Sequence, residues 1–340
     1  MESEAMPAVV MRTATFALLF AFGAVAQAQA PAASRAAARA AAPAAPPTID
    51  VWPVRDNIYM LVGAGGNTTV QVGPDGMLVV DTKLAAGAEP LLAALRKISN
   101  APIRYVVNTH HHADHVGGNA VIAAAGSTVA GGNVSGTIGD ASKGAAVIAQ
   151  ENVLVRMVAA MPQPPFAAWP TDTFIDGHKD LFFNGEAVQI LYQPKAHTDS
   201  DSMVFFRKSD VIATGDVFTT TGYPVLLPGD GGSIQGVIDS LNYIIDLTVP
   251  AEKQEGGTMV IPGHGRLCDE ADVVEYRDML TIIRDRVRSM IAMRMTLQQV
   301  QAAQPTRDYD ARYGATTGFW TTAQFVEAVY RNLMEEKNGG

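Results

Sequence analysis

One stretch of seven residues constrains this chain more than any other: Thr109-His110-His111-His112-Ala113-Asp114-His115. It follows an apolar run, Ile103-Arg104-Tyr105-Val106-Val107, that reads as a short buried strand, and it leads into Val116-Gly117-Gly118-Asn119, whose glycines mark a tight turn. The cluster therefore sits on a loop at a strand end. Of seven histidines in the chain, four stand at positions 110, 111, 112 and 115, so a polar loop that merely happens to contain histidine accounts for them poorly.

His110, His112 and His115, with Asp114 among them, supply nitrogen and oxygen donors of the kind Zn2+ prefers. His110 and His112 are two residues apart, so on extended backbone they point the same way and can share one ion, while His111 points elsewhere. Asp114 and His115 follow too closely to reach that ion comfortably, and would serve a second ion beside it. The spacing asks for two metals. A histidine-rich storage tract would be longer and less regular.

The remaining ligands must come from elsewhere in the chain. Downstream, β runs end in Ala196-His197-Thr198, in Gly215-Asp216 and in Pro262-Gly263-His264-Gly265. Singly, each is an ordinary strand-end residue or helix cap. Their shared position, in a chain that needs more donors, makes His197, Asp216 and His264 candidates together.

The chain before residue 49 does not read as fold. Arg12 precedes an apolar run, Ala14 to Val25, and Ala26-Gln27-Ala28 offers a small-residue cleavage site, so residues 1–28 read as a secretory signal peptide, with Met11 an alternative start. The run is too short for a membrane span. Residues 29–48 form an Ala/Pro-rich linker with little to pack. Export places the mature protein in the periplasm or outside the cell. Cys268 is the only cysteine, so no internal disulfide forms, and burial of a small thiol is its favoured role. A net charge of -9 leaves no basic footprint for nucleic acid. Nothing in the pattern specifies an oligomer.

From Ile49 the strand signals come quickly. Ile58–Val62, Thr68–Val72 and Met77–Val80 predict an antiparallel meander; Glu89-Pro90 opens a helix with Leu91, Leu92, Leu95 and Ile98 on one face. Ser127–Ala130 reads as a strand, Ala145–Met161 as a helix, and His178 as a turn residue with no role. The strands Ala187–Tyr192, Met203–Arg207, Val211–Ala213 and Met259–Ile261 follow. Asp272 reads as the cap of a helix with Val273, Tyr276, Met279, Leu280 and Ile283 on one face, and Phe325 to Leu333 as a last helix. Arg307–Trp320, between them, reads as an ordered surface loop.

With these motifs in place the chain resembles the metallo-β-lactamase superfamily, over about Val51 to Leu267. The pattern H-x-H-x-D-H is matched by His110, His112, Asp114 and His115, and the later ligand positions by His197, Asp216 and His264. The resemblance implies a four-layer αββα sandwich, residues 49–268, with a C-terminal helical extension, 269–340, packed on it. It implies two Zn2+ per chain, Fe or Mn being other metals the ligands would hold: one on His110, His112 and His197, the other on Asp114, His115 and His264, with Asp216 between. A hydroxide bridging the metals would cleave an ester, thioester, lactone or amide carbonyl of a small molecule, with Asp114 orienting the nucleophile or carrying a proton. Asp81, Thr109 and Thr198 are placed to orient imidazoles. Gly63–Asn67 would be a mobile flap, and Thr219–Gly232 a substrate loop with Tyr223 the residue of interest.

Asp216 departs from the β-lactamase branch, which usually has Cys or Ser there. A class B-like β-lactamase is therefore the second reading. An iron-dependent oxidoreductase of the persulfide dioxygenase type and a non-catalytic metal-binding module are the third and fourth.

Overall fold

The computed structural model describes residues 47–128, 143–253 and 256–339. The expected signal peptide and nearly all of the expected linker lie outside them. So does part of the strand expected at Ser127–Ala130, whose described portion is a single bridge between Ser127 and Gly144.

The first half of the chain builds one sheet. Strands β1 (Asp50–Arg55), β2 (Ile58–Val62), β3 (Thr68–Gly73) and β4 (Gly76–Val80) run antiparallel. Helix α1 (Ala88–Ile98) then returns the chain to β5 (Ile103–Val107), parallel to β4. After α2 (Ala113–Val116) and α3 (Asn119–Ala124) come β6 (Ala146–Gln150), α4 (Glu151–Ala159) and β7 (Asp172–Phe174). The seven strands lie in sequence order. All five residues of β4 are buried, as expected for a strand covered on both faces.

The second sheet is made by β8 (His178–Phe183), β9 (Glu186–Gln193), β10 (Asp201–Phe206), β11 (Val211–Ala213) and, after α5 (Ile234–Leu247), β12 (Met259–Ile261), which pairs parallel with β11. Four helices follow: α6 (Glu270–Ala292), α7 (Leu297–Ala302), α8 (Asp310–Tyr313) and α9 (Thr322–Gly339). The sheets meet through Leu78, Val80, Val107 and Ile148 on one side and Val188, Ile190, Val204 and Phe206 on the other. Leu91 and Leu95 of α1 and Ile122 of α3 cover the outer face of the first sheet. Leu241 of α5, Tyr276 and Leu280 of α6 and Phe325 of α9 join the cluster that covers the second. The result is the four-layer αββα sandwich with added C-terminal helices.

Several local expectations need correction. The expected helix Ala145–Met161 is a strand and a helix in succession. Residues Ala146–Gln150 pair with β5 and β7, and the Gln150 side chain accepts from Asn152 N (2.6 Å) to start α4. An apolar pentapeptide has no periodicity of its own, and sheet pairing decides it. His178 begins β8 rather than occupying a turn, though it stays exposed. Asp272 is not the cap of α6. Asp269 caps the helix and Asp272 stands at the third helical position, each side chain accepting from the other's backbone N–H as in a capping box. Within Arg307–Trp320, Tyr313 is a buried member of the core, so the segment is more than a surface loop.

Candidate metal centre

The seven candidate ligands leave the ends of four strands, β5 in the first sheet and β9, β11 and β12 in the second, and meet at one edge of the sandwich. His110 and His112 lie on the loop after β5, and His112 is the N-cap of α2, whose first turn carries Asp114 and His115. His197 follows β9, Asp216 lies in a single 3-10 turn after β11, and His264 follows β12.

They form two adjoining groups. In the first, His112 Nδ1 lies 3.1 Å from His110 Nε2 and 3.0 Å from His197 Nε2. In the second, His264 Nε2 lies 3.2 Å from Asp114 Oδ2, and His115 Nε2 lies 3.8 Å from the same oxygen. The Asp216 carboxylate stands between them. Its Oδ2 is 3.7 Å from His197 Nε2 and 3.5 Å from His264 Nε2, and its Oδ1 is 3.2 Å from His115 Nε2.

The outward nitrogens decide which inward nitrogens carry lone pairs. His197 Nδ1 faces the Val225 carbonyl (2.6 Å) and His112 Nε2 faces Asp230 Oδ2 (3.0 Å), acceptors to which each ring must donate. The Thr109 hydroxyl gives its proton to Asp81 Oδ2 (2.7 Å), so it accepts from His110 Nδ1 (3.1 Å). In the neutral rings, three lone pairs therefore point at one spot from 3.0–3.1 Å apart. Tetrahedral Zn–N bonds place their ligand atoms about 3.3 Å apart. His115 repeats the pattern, since Nδ1 donates to Asp81 Oδ2 (2.7 Å), leaving Nε2 facing Asp216 Oδ1. Both of those atoms are buried without a hydrogen-bond partner. The arrangement is stable only with positive charge in its centre, and the residues fit a divalent ion in each group.

Titration behaviour agrees with that demand. Burial holds His110 well below the usual imidazole range and His197 down at about 4, so both are neutral donors. Burial also opposes charge on His115 and His264, but Asp216 and Asp81 raise the first well above its usual range, and Asp114 and Asp216 raise the second to about 9. Burial opposes ionisation of Asp216, and the neighbouring His115 and His264 outweigh it and hold the carboxyl well below its usual range. Protons can thus supply part of the charge that metal would bring.

The backbone makes room for this packing. A Cβ at Gly66 would run into the His115 imidazole, and one at Gly263 would strike Asp216 Oδ1. The Gly63–Asn67 segment, expected as a mobile flap, is pinned: Gly66 N donates to Asp114 O (3.0 Å), Asn67 N to Gly263 O (2.7 Å), and the buried Lys83 Nζ to Leu61 O and Gly66 O (2.9 and 2.7 Å). Fixing the glycines is what lets the rings approach.

Of the residues expected to orient imidazoles, Asp81 and Thr109 do so. Thr198 does not touch the His197 ring. Its hydroxyl and backbone N–H both donate to the buried Asp201 (3.0 and 2.6 Å), which shapes the turn that carries His197. Tyr223 lines the cavity in front of the site, but its hydroxyl is spent on Asp310 Oδ1 (2.9 Å) and the Thr306 carbonyl (3.3 Å). Sequence reasoning missed Asp230, Ser200 and the Val225 carbonyl. Ser200 Oγ lies 3.0 Å from His111 Nδ1, giving that extra imidazole a structural place. Asp230 sits in Pro228-Gly229-Asp230-Gly231, inside the segment expected as a substrate loop, where an acid among glycines signals a turn and not an imidazole's partner.

Residues 61–264 match the family model described as metallo-beta-lactamase superfamily. The chain is 28% identical over 186 residues to a hydroxyacylglutathione hydrolase of Rhodospirillum rubrum, a match spanning 55% of this chain and 56% of that protein. The chain thus spans little more than half the length of this curated relative. Among solved structures, a double mutant of the sec-alkyl sulfatase PisA1 superposes with a TM-score of 0.62 at 15% identity, covering 83% of this chain and 50% of that one. A metallo-beta-lactamase from Pontibacter korlensis does so with a TM-score of 0.51 at 14% identity, over 69% of this chain and 99% of the other. These structural likenesses concern the fold alone.

Proposed function

Starting from the premise that the chain belongs to the metallo-beta-lactamase superfamily of metal-dependent hydrolases, we propose that it is an exported binuclear zinc hydrolase of an ester, thioester, lactone or amide. The observation that carries this reading is the convergence of lone pairs: three imidazole nitrogens in one group, and the orphaned His115 Nε2 and Asp216 Oδ1 in the other. All seven candidate ligands would take part: His110, His112 and His197 would hold one ion, Asp114, His115 and His264 the second, and Asp216 would stand between them. Arg12, the apolar run after it and Ala26-Gln27-Ala28 support export. Among the described residues no helix is long and apolar enough to cross a membrane.

When bound, the divalent ions would supply a nucleophile at neutral pH and polarise the scissile carbonyl. The chain's own residues do the rest. Asp81 serves His115 and Thr109 together, Thr109 serves His110, Asp230 serves His112 and the Val225 carbonyl serves His197, so each of these rings is held in one tautomer. Asp114, which lines the cavity and is partly exposed, would orient the attacking water and carry a proton from it to the leaving group.

A turnover panel on the zinc-loaded protein tests this reading: a thioester, a lactone, aryl esters, a chromogenic β-lactam and phosphoesters, each with a chelator control. Chelator-sensitive cleavage of a carboxylic ester, thioester, lactone or amide is the expected outcome. Silence across the panel with metal bound would sink it. One iron per chain with oxygen uptake, in protein made without added metal, would replace it with oxidoreductase chemistry.

A further inference from the structure

The cavity in front of the imidazoles holds about 490 Å³, within the range of small-molecule sites. Its two sides differ in kind. One side is the ligand face. The other is made by Tyr223, Val225 and Leu227 of the loop after β11 and by Tyr313, Phe319 and Trp320 of the C-terminal helical region, with neutral threonine side chains between them.

No lysine or arginine is among the described residues that line this cavity, and its only ionisable groups besides the candidate ligands are the two tyrosines. Guanidinium groups on adjoining elements are spent elsewhere. Arg156 is held by Asp199 Oδ2 (2.6 Å), Arg266 by Asp272 Oδ2 (2.9 Å) and Arg312 by Glu275 Oε1 (2.5 Å).

The polar ends of two wall aromatics are used up as well. Tyr223 stacks on Phe325, ring centroids 4.5 Å apart, with its hydroxyl bonded to Asp310, and Trp320 Nε1 donates to the Pro224 carbonyl (3.1 Å). These rings offer the cavity mainly carbon. Phe319, 74% exposed, extends the apolar surface to the mouth.

We propose that this wall selects a substrate that is uncharged away from its reacting carbonyl: an aryl or branched-alkyl ester, thioester or lactone without a carboxylate, sulfate or phosphate on its remainder. The inference rests on the hydrolase reading above and adds which members of that class fit. An anionic remainder would meet aromatic carbon and neutral hydroxyls on this wall with no counter-charge, and burying an unpaired charge is costly. Glutathione conjugates and β-lactams, which carry carboxylates, belong to the disfavoured group. A neutral aromatic remainder meets stacking faces at little desolvation cost.

Two paired experiments test the wall. In the first, the same acyl group is presented to the zinc-loaded chain as its N-acetylcysteamine thioester and as its glutathione thioester. The neutral member is expected to have the higher kcat/KM by at least about tenfold. In the second, the chelator-stripped chain is titrated with N-phenylnaphthylamine and with anilinonaphthalene sulfonate, which share an aryl skeleton and differ by one sulfonate. The neutral dye is expected to bind more tightly, and Phe319→Arg, at an exposed position that leaves the core untouched, to narrow or reverse the difference. Chelator-sensitive turnover that is equal for both thioesters, or faster on glutathione, overturns the wall assignment while leaving the hydrolase intact. Tighter binding of the sulfonate dye by the unmodified chain overturns it too. A neutral dye preference that Phe319→Arg narrows or reverses, with no chelator-sensitive turnover of either thioester or of any other member of the panel above, supports the wall and defeats the hydrolase.

Discussion

The two sides of the cavity are built on opposite principles. On the metal face the outward nitrogens of His110, His112, His115 and His197 have assigned partners while the inward ones converge, and the glycines that let the rings approach are tied down by backbone hydrogen bonds. The facing wall carries aromatic and aliphatic carbon with threonine hydroxyls between and no charged side chain among the described residues, and Phe319 projects into solvent. The metal face belongs to the strand ends of the sandwich, whereas much of the wall belongs to the C-terminal region. Substitutions on the two sides should therefore have different signatures.

The largest effect is expected at the carboxylate between the two ligand groups. Asp216→Ala should lower turnover by about 10²–10³-fold or more, as when a central electrostatic group is removed. Metal content measured by plasma emission should fall with it. If turnover survived with full metal content, the metal face would not be the seat of chemistry, and the contrast with the wall would collapse.

Lys83 tests whether the metal face is prebuilt by the fold. Burial pulls its ammonium down to about 8 from 10.5 against the opposing pull of Asp81. Below about 8 the proton is bound in both folded and unfolded chains; between about 8 and 10.5 only the unfolded chain keeps it. Folding is therefore favoured as pH rises through that window, by about 3 kcal/mol in total. Lys83→Met should lack this rise in urea denaturation at pH 7.5 and 10.5, and should also loosen Gly66. An identical pH dependence in both proteins would mean that the amine is not desolvated.

Asp230 sharpens the comparison, because its loop also supplies wall residues. Asp230→Ala should weaken metal binding by about 10–100-fold, the usual cost of losing an imidazole's outer partner. Competition with a fluorescent chelator measures it. Unchanged affinity would assign Asp230 to Arg156 and the loop, rather than to His112. The smallest effect is expected on the wall: Trp320→Ala should cut kcat/KM for a neutral aryl ester by about tenfold and leave metal content unchanged. Metal loss in that variant would show the two sides to be coupled.

Much of the metal face was legible before the structure. His110, His112, Asp114 and His115 are local in sequence, and His197, Asp216 and His264 each follow a recognisable β run. Asp81 and Thr109 stood in the sequence as candidates for orienting imidazoles, and only their hydrogen bonds to His115 and His110 separate that role from that of an ordinary strand-end residue. Asp230 was not, because an acid among glycines reads as a turn, and its role exists only when the loop folds over His112. Thr198 erred in the other direction. It adjoins a ligand in sequence, yet its hydroxyl turns to Asp201 and the ring is held instead by Val225, 28 residues onward. The flap over Gly63–Asn67 looked mobile because glycine permits freedom. Here glycine permits close approach.

The sequence by itself determined the donor set, the demand for positive charge at its centre and the alternating strands and helices that carry it, because these depend on residue type and short spacing. Tertiary structure alone decided how Ala145–Met161 divides into strand and helix, which outer atoms fix each imidazole, and that Tyr313, Phe319 and Trp320 face the metal ligands across a cavity. Those outcomes depend on pairings between residues as much as some two hundred positions apart, and no local pattern records what a side chain meets at that distance.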